Sequence, residues 1–317
     1  MHKMEALPSN EALAIIGRGW GLKNFKFVRK MENIVYSGEI DGKRVFLRLT
    51  SPLRRNKDEI NAELAWLDFL RGEGLPVVTP LKDMNGDLSI TANVYGQQFE
   101  ACVFAEASGE HPSKELMESP DFLFKLGALM ARMHLASIKF GSSSKREDWY
   151  HERGLRHARE AAATTAHLAL KERLSENITW MEGLSRTREN YGLIHADIGI
   201  GNLFVDADGS ITVIDFDDCC YHWYVADLAA VIYLLAWSLG HEKFDATEKS
   251  WLKNLLLGYR SVRSLSETDE LLVPRFIEFF CLRVFFWIEY HQNLQTFRDE
   301  ALPKVNEAKD WAAKRFG

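Results

Sequence analysis

Strand-type and helix-type sequence patterns lie in separate parts of this chain, and this separation limits the possible folds more than any other feature. The first hundred residues carry short runs that alternate or are continuously apolar, as strands do. These predicted strands are residues 25–30, 33–40, 44–50, 87–91 and 98–106. Asp41-Gly42 is a hairpin signal between two of them. One helix is predicted at residues 57–71, where Ile60, Leu64 and Leu67 share a stripe.

Beyond residue 107 the pattern is mostly helical. The predicted helices are residues 122–134, an alanine-rich stretch around 157–170, and residues 224–239, 248–260 and 276–292. One island, residues 193–218, interrupts them with short apolar runs that are split by Gly, Asn and Asp. Strands first and helices later are typical of an α+β fold. The change of pattern predicts two domains, residues 1–107 and residues 108–317.

The charge balance argues against a nucleic-acid partner. The chain of 317 residues has 45 acidic and 39 basic side chains, a formal net charge of −6, whereas a phosphate backbone favours a basic face.

Its four cysteines lack metal-site spacing, so we expect free thiols. The longest apolar stretches, residues 224–239 and 276–290, contain charges, so neither predicts a membrane span. We expect a cytoplasmic protein with no membrane partner; its oligomeric state stays open.

The island contains polar residues at a spacing that suits phosphate chemistry. It reads LIHADIGIGNLFVDADGSITVIDFDD, with Asp197, Asn202 five residues later and Asp215 thirteen after that. A hairpin here would bring Asn202 and Asp215 to the same end of two strands. Two oxygen ligands at such a position suit Mg²⁺, which binds one or two carboxylates together with phosphates and waters. Asp197 would then be available to receive a hydroxyl proton.

This stretch resembles the catalytic loop of protein-kinase-like phosphotransferases, H-x-D-x-x-x-x-N followed by an Asp-Phe metal motif. It is most similar to the aminoglycoside phosphotransferase and choline kinase branch, whose loops read His-Gly-Asp…Asn and Ile-Asp-Phe. The resemblance implies a two-lobed fold, with a small antiparallel-sheet N-lobe containing one helix and a larger, mostly helical C-lobe. It also implies that Asp197 is the base, His195 a brace, Asn202 and Asp215 ligands of Mg²⁺ against ATP, and Asp227 a support of the loop.

The resemblance also requires a cation that binds phosphate. Arg48, in Val45-Phe46-Leu47-Arg48, stands where such kinases carry a lysine, and it is expected to pair with a helix carboxylate. Glu63 lies on the apolar stripe of the predicted helix, where an unpaired carboxylate is costly. We therefore predict an ion pair of Arg48 with Glu63, with Glu59 as the alternative partner.

Two further segments resemble the nucleotide-binding parts of the family. Glu32-Asn33 is similar to the short loop between the first two strands, which implies that Asn33 contacts the nucleotide. Residues 104–109, with Glu106, resemble the hinge whose backbone meets adenine. In the helix at 276–290, Glu278 and Glu289 share a face. They are either part of an amine-binding pocket together with Asp217 and Asp218, or the edge of an ordinary core.

The predicted activity is transfer of the γ-phosphoryl group of Mg-ATP to a hydroxyl of a small molecule of amine, amino-acid or sugar type. Two alternatives stay open. One is a bacterial stress-response-type Ser/Thr protein kinase, which would use the same residues on a polypeptide. The other is a nucleotide-binding protein without turnover, since Arg48 replaces the lysine and no glycine-rich loop is present. The acceptor cannot be named, because one fold serves many substrates.

Overall fold

The computed structural model describes residues 7–94, 96–141 and 145–317, which divide into two compact units. The first unit runs to Gly109 and takes in a returning segment, Asp206–Asp217. The second unit consists of Glu110–Val205 and Asp218–Gly317.

The first unit is built on a six-stranded antiparallel sheet. Its strands are β1 (Lys23–Lys30), β2 (Ile34–Ile40), β3 (Lys43–Thr50), β4 (Pro80–Leu81), β5 (Ser89–Val94) and β6 (Gln97–Ala105). Their order in the sheet is β1-β2-β3-β6-β4, with β5 also paired to β6. Asp41 and Gly42, at the β2–β3 turn, have φ of 50° and 75°, the left-handed values that a tight hairpin requires. The predicted hairpin is therefore confirmed. The returning segment contributes a further strand, β9 (Ile211–Val213).

The first unit contains one long helix, and the residue at which it begins follows from the sequence. Helix α2 (Lys57–Gly72) begins with a capping box, in which Asn56 accepts from the backbone N–H of Glu59 and Glu59 accepts from that of Asn56. Its predicted apolar stripe is fully buried, and Glu63 is buried with it. A shorter helix, α1 (Asn10–Gly17), precedes the sheet and was not predicted.

The second unit is mostly helical, as predicted. The alanine-rich stretch forms two helices rather than one, because the backbone at Thr165 is extended and ends the first. A short antiparallel pair joins β7 (Tyr191–Ile194) to β10 (Cys220–Trp223). The other strand of this unit is β8 (Leu203–Val205), and the helices are α3 (Lys114–Glu118), α4 (Pro120–Phe140), α5 (Arg153–Thr164), α6 (Leu168–Glu182), α7 (Tyr224–Leu239), α8 (His241–Arg260), α9 (Glu267–Asn293) and α10 (Leu302–Phe316).

The two apolar stretches noted in the sequence are the buried helices α7 and α9. Twelve of the sixteen residues of α7 are buried, among them Asp227 in its first turn. Within the described residues, none of the helices is at once sufficiently long and sufficiently apolar to cross a membrane. A helix that is apolar on most of its surface belongs to the interior of a large domain.

Helices α4 and α8 approach so closely that glycine is required at their contact. A Cβ atom built on Gly258 would lie 1.8 Å from the carbonyl oxygen of Phe124, and one on Gly127 would lie 2.0 Å from that of Leu255. Both obstacles are backbone atoms, which cannot move aside without separating the helices. His134 on α4 and Tyr259 on α8 form a hydrogen bond across the same pair of helices.

We expect Gly258→Ala to destabilise the protein by at least about 1–3 kcal/mol, the usual cost of overpacking a filled core. Gly72→Ala is the matched control, because its new Cβ would meet nothing within 4 Å and alanine favours the helix by up to about 1 kcal/mol. Urea denaturation measures both changes. Equal stabilities for the two variants would contradict the close approach.

Candidate active site

The loop that follows β7 has an unusual backbone conformation at Ala196. Its φ is 67°, in the left-handed region that glycine adopts easily and other residues only at a cost of about 1–2 kcal/mol. In the family that the loop resembles, glycine stands at this position. The strained turn must therefore be held by its surroundings.

Asp227, in the first turn of α7, holds this loop. Its carboxylate accepts hydrogen bonds from the backbone N–H groups of Ala196, at 2.9 Å, and His195, at 3.3 Å. It is fully buried. Burial alone would raise the pKa of Asp227, but the hydrogen bond from His134, the nearby imidazoles and the Ala196 N–H outweigh it, so its pKa lies below the ordinary value. The predicted supporting role of Asp227 agrees with these contacts.

His134 completes the support on the other side of Asp227. Its Nε2 lies 3.1 Å from the Asp227 carboxylate and its Nδ1 lies 2.9 Å from the hydroxyl of Tyr259. Burial lowers the pKa of His134, against the opposing effect of Asp227, so the ring is neutral. Because an ionised carboxylate only accepts, Nε2 carries the proton and Nδ1 accepts from the Tyr259 O–H. This chain from α7 through α4 to α8 fixes the orientation of the carboxylate.

Asp197 is positioned by Asn202 and His195. The Asn202 amide Nδ2 donates to Asp197 Oδ2 and to the Asp197 backbone carbonyl, both at 2.8 Å. The backbone N–H of Asp197 donates to Nδ1 of the fully buried His195. Asp197 itself is only partly buried. The second unit thus brings together Asp197, His195 and Asn202, three of the residues singled out in the sequence.

Asp215, the predicted metal ligand of the first unit, has the chemistry that a hard cation requires. Its side chain is one-quarter exposed and pairs with Arg29, an exposed side chain, at 3.1 Å. An exposed ion pair of this kind is worth at most about 1 kcal/mol, so a divalent cation can displace it. In the second unit, Asn202 uses only Nδ2 in its contacts with Asp197, which leaves its amide oxygen for a metal. Both donors are oxygens, as Mg²⁺ prefers.

Arg48 and Glu63 form the ion pair that the sequence predicted. Two parallel contacts of 2.8 Å join Arg48 Nη1 and Nη2 to the two oxygens of Glu63. Both side chains are buried, and the guanidinium lies 5.1 Å from the ring centroid of Phe104. Despite burial, the pKa of Arg48 is raised by the charges around it, Glu63 and Asp217 among them. Glu59, the alternative partner, pairs with Arg55 instead.

The other two residues assigned to the nucleotide lie at different depths. Asn33, between β1 and β2, is partly buried and donates from Nδ2 to Asp217. Its Oδ1 is buried, and no donor among the described residues reaches it. Glu106 is exposed and pairs with Arg44 at 2.9 Å. Its carboxylate is therefore engaged at the surface, and a hinge role would fall to its backbone.

The sequence placed Asp217 beside the metal motif but did not indicate that it is buried and bound by arginines. Asp217 accepts from Arg54 Nε at 2.6 Å and from Asn33, and Arg55 lies 3.9 Å from its second oxygen. Burial would raise its pKa, but Arg54, Arg48 and Arg55 lower it well below the ordinary range. Arg54 and Arg55 form a basic pair in the sequence that is typical of a solvated surface, and only their burial distinguishes them.

The two glutamates on α9 are engaged in ion pairs. Glu278 accepts from Arg173 at 3.0 Å, and Glu289 lies 3.5 Å from the ammonium of Lys309. Contacts of this kind stabilise the packing of α9 against α6 and α10. Of the two interpretations of Glu278 and Glu289, the ordinary core edge agrees better with these contacts.

Comparison with known proteins identifies the family. The model of the phosphotransferase enzyme family matches residues 26–265, about three quarters of the chain. The chain belongs to the phosphotransferase enzyme family. The amicoumacin kinase of Bacillus subtilis is 25% identical over 288 residues, which cover 89% of this chain and 84% of that protein.

Two solved kinase structures are similar to this chain in fold. An amicoumacin kinase in complex with AMP-PNP, Ca²⁺ and Ami has a TM-score of 0.83 and 23% identity, covering 97% of this chain and 94% of its own. A microcompartment-associated aminopropanol kinase has a TM-score of 0.77 and 24% identity, covering 96% of each chain. The predicted α+β, protein-kinase-like fold and the predicted class of enzyme, a phosphotransferase that acts on a hydroxyl group, are confirmed.

Arg48→Met should destabilise this phosphotransferase by about 3–5 kcal/mol, because it leaves Glu63 buried without a counter-charge. The double variant Arg48→Met/Glu63→Met should recover most of that loss. Arg44→Met, which removes the exposed partner of Glu106, is the matched control and should cost less than about 1 kcal/mol. Chemical denaturation of the four proteins tests this order, and an Arg48→Met cost as small as that of Arg44→Met would refute it.

Proposed function

We propose that this chain transfers the γ-phosphoryl group of Mg-ATP to a hydroxyl of a small-molecule acceptor, with Asp197 as the base. Family membership supplies the reaction class. The observation that carries the more specific proposal is the presentation of Asp197. This carboxylate is partly exposed, its Oδ2 accepts from Asn202, and its loop is held by Asp227.

Such an arrangement suits a residue that orients a hydroxyl and accepts its proton. Phosphoryl transfer requires little covalent chemistry from the protein, so accurate positioning and neutralisation of charge supply most of the catalysis. A carboxylate with one oxygen fixed by an amide has a defined direction for the other. His195 acts as a positioning residue, because its ring is buried and accepts from the Asp197 N–H.

The remaining residues are assigned to the nucleotide and its metal. Arg48, oriented by Glu63, would bind phosphate oxygens, for which an arginine fork is well suited. Asn202 and Asp215 would be oxygen ligands of Mg²⁺, which when bound neutralises phosphate charge. Asn33 and the backbone around Glu106 would contact the nucleotide. These assignments rest on the resemblance of the motifs and on the donor groups present in each unit.

The proposed acceptor is a small hydroxylated compound, with amino alcohols as the first class to test. The amicoumacin and aminopropanol kinases support a small-molecule acceptor over a polypeptide. Purified protein with Mg-ATP and separate amino alcohols, amino acids, sugars and aminoglycosides should release ADP strongly with one class. Phosphate label on protein, with no small acceptor used, would instead support the protein-kinase alternative.

Asp197→Asn should lower kcat for the acceptor found in this way by about 10²–10⁴-fold, the range for loss of a general base. Asparagine has nearly the same shape and can still accept from Asn202, so the affinity for AMP-PNP should change by less than about threefold. Asp208→Asn is the matched control, because Asp208 is an exposed turn residue that accepts from the Ser210 N–H. A kcat of Asp197→Asn within tenfold of wild type would remove Asp197 from the role of base.

A further inference from the structure

We infer that Asp217 links the nucleotide loop to the metal-binding turn, so that binding of nucleotide and of metal depend on each other through this carboxylate. The nucleotide loop is here residues 31–33, between β1 and β2, and the metal turn is residues 214–217. The inference rests on the proposed function, since it assigns Asp217 and Arg54 as positioning residues for Asn33 and Asp215.

The contacts that carry this inference all lie within the first unit. Asp217 Oδ2 accepts from Asn33 Nδ2 at 3.1 Å and from Arg54 Nε at 2.6 Å. Arg54 also pairs with Glu32, the other polar residue of the nucleotide loop. Asp217 and Arg54 are 2% and 8% exposed. The buried Arg54–Asp217 pair therefore contacts both polar residues of the nucleotide loop, Glu32 through Arg54 and Asn33 through Asp217.

The metal turn needs such an anchor because its backbone is strained. Asp215 has φ of 61°, a left-handed value that a residue with a side chain keeps only when its surroundings impose it. On one side, Val213 is fixed by backbone hydrogen bonds with Pro76 and Val78. On the other, Phe216 packs edge-on against Trp66, with ring centroids 5.4 Å apart, and Asp217 is held by Arg54. Asp215 thus lies between two fixed points.

Asp217 belongs to the metal turn and also contacts the nucleotide loop, so the conformations of the two segments are coupled. If Asp217 moves, Asn33 loses its hydrogen-bond partner and the strained turn at Asp215 loses its anchor. A nucleotide that orders residues 31–33 therefore favours the metal-binding conformation of Asp215, and a metal at Asp215 favours the ordered loop. Such a coupling is reciprocal, and its usual size is about 5–150-fold in affinity.

The test measures the affinity for AMP-PNP by calorimetry, once with Mg²⁺ and once with EDTA. The ratio of the two dissociation constants is the metal linkage. Wild type should show a linkage of about tenfold or more, and Asp217→Asn, which keeps the shape but loses the charge, should reduce it by at least about threefold. Asp83→Asn is the matched control, because Asp83 is a buried carboxylate of the same unit. It accepts hydrogen bonds from the backbone N–H groups of Asn85 and Asp87. It should keep the wild-type linkage.

A folded Asp217→Asn protein with a linkage within twofold of wild type would overturn the inference and leave the phosphotransferase proposal intact. If that variant does not fold, Arg54→Lys replaces it, since the single ammonium of lysine keeps the charge but lacks the fork that contacts Asp217 and Glu32 together. Its linkage should fall about threefold, and an unchanged value would overturn the inference. Wild-type protein that fails to bind AMP-PNP under either condition would overturn the proposed function and this inference together.

Discussion

The hydrogen bonds accepted by Asp227 are the interaction on which the loop after β7 depends. Ala196 adopts a backbone conformation that it does not favour, and Asp227 binds the two peptide N–H groups that define it. A buried carboxylate can do this only if it stays ionised, and the neutral His134 secures that by donating to it. The close crossing of α4 and α8 in turn fixes His134 and Tyr259, so the glycine contact between these helices also supports the loop that carries Asp197.

In both units the carboxylates of the candidate site fall into two groups, buried ones and partly exposed ones. Glu63 and Asp217 are buried and bound by arginines, whereas Asp215 is partly exposed and has a weak, exchangeable partner. In the second unit, Asp227 is buried and Asp197 is partly exposed. Each buried carboxylate binds a neighbouring side chain or backbone N–H group, and the more accessible ones are those that we propose for the chemistry. A buried charge is costly unless it is paired, which explains why each of these anchors has a cationic or N–H partner.

Much of the fold was predictable, because the relevant signals are local. The Asp41-Gly42 turn, the apolar stripe of α2 and the H-x-D-x-x-x-x-N spacing each occupy a few neighbouring residues. The Arg48–Glu63 pair was also predictable, since a glutamate on an apolar stripe requires a partner. The anchors were not: Arg54 and Asp217 are 163 residues apart, and no periodicity marks an arginine that will be buried. The left-handed backbone at Ala196 was not predicted either, because the carboxylate that supports it, Asp227, lies 31 residues further along the chain.

The central claim, transfer of the γ-phosphoryl group to a hydroxyl, is tested most directly by ³¹P NMR of the protein with Mg-ATP and an excess of an accepted amino alcohol. The account predicts a new phosphomonoester resonance that grows in equal amount with ADP, and none when Asp197 is replaced by Asn. ADP accompanied only by inorganic phosphate would show transfer to water instead. That result would contradict the assignment of Asp197 as the residue that orients an acceptor hydroxyl.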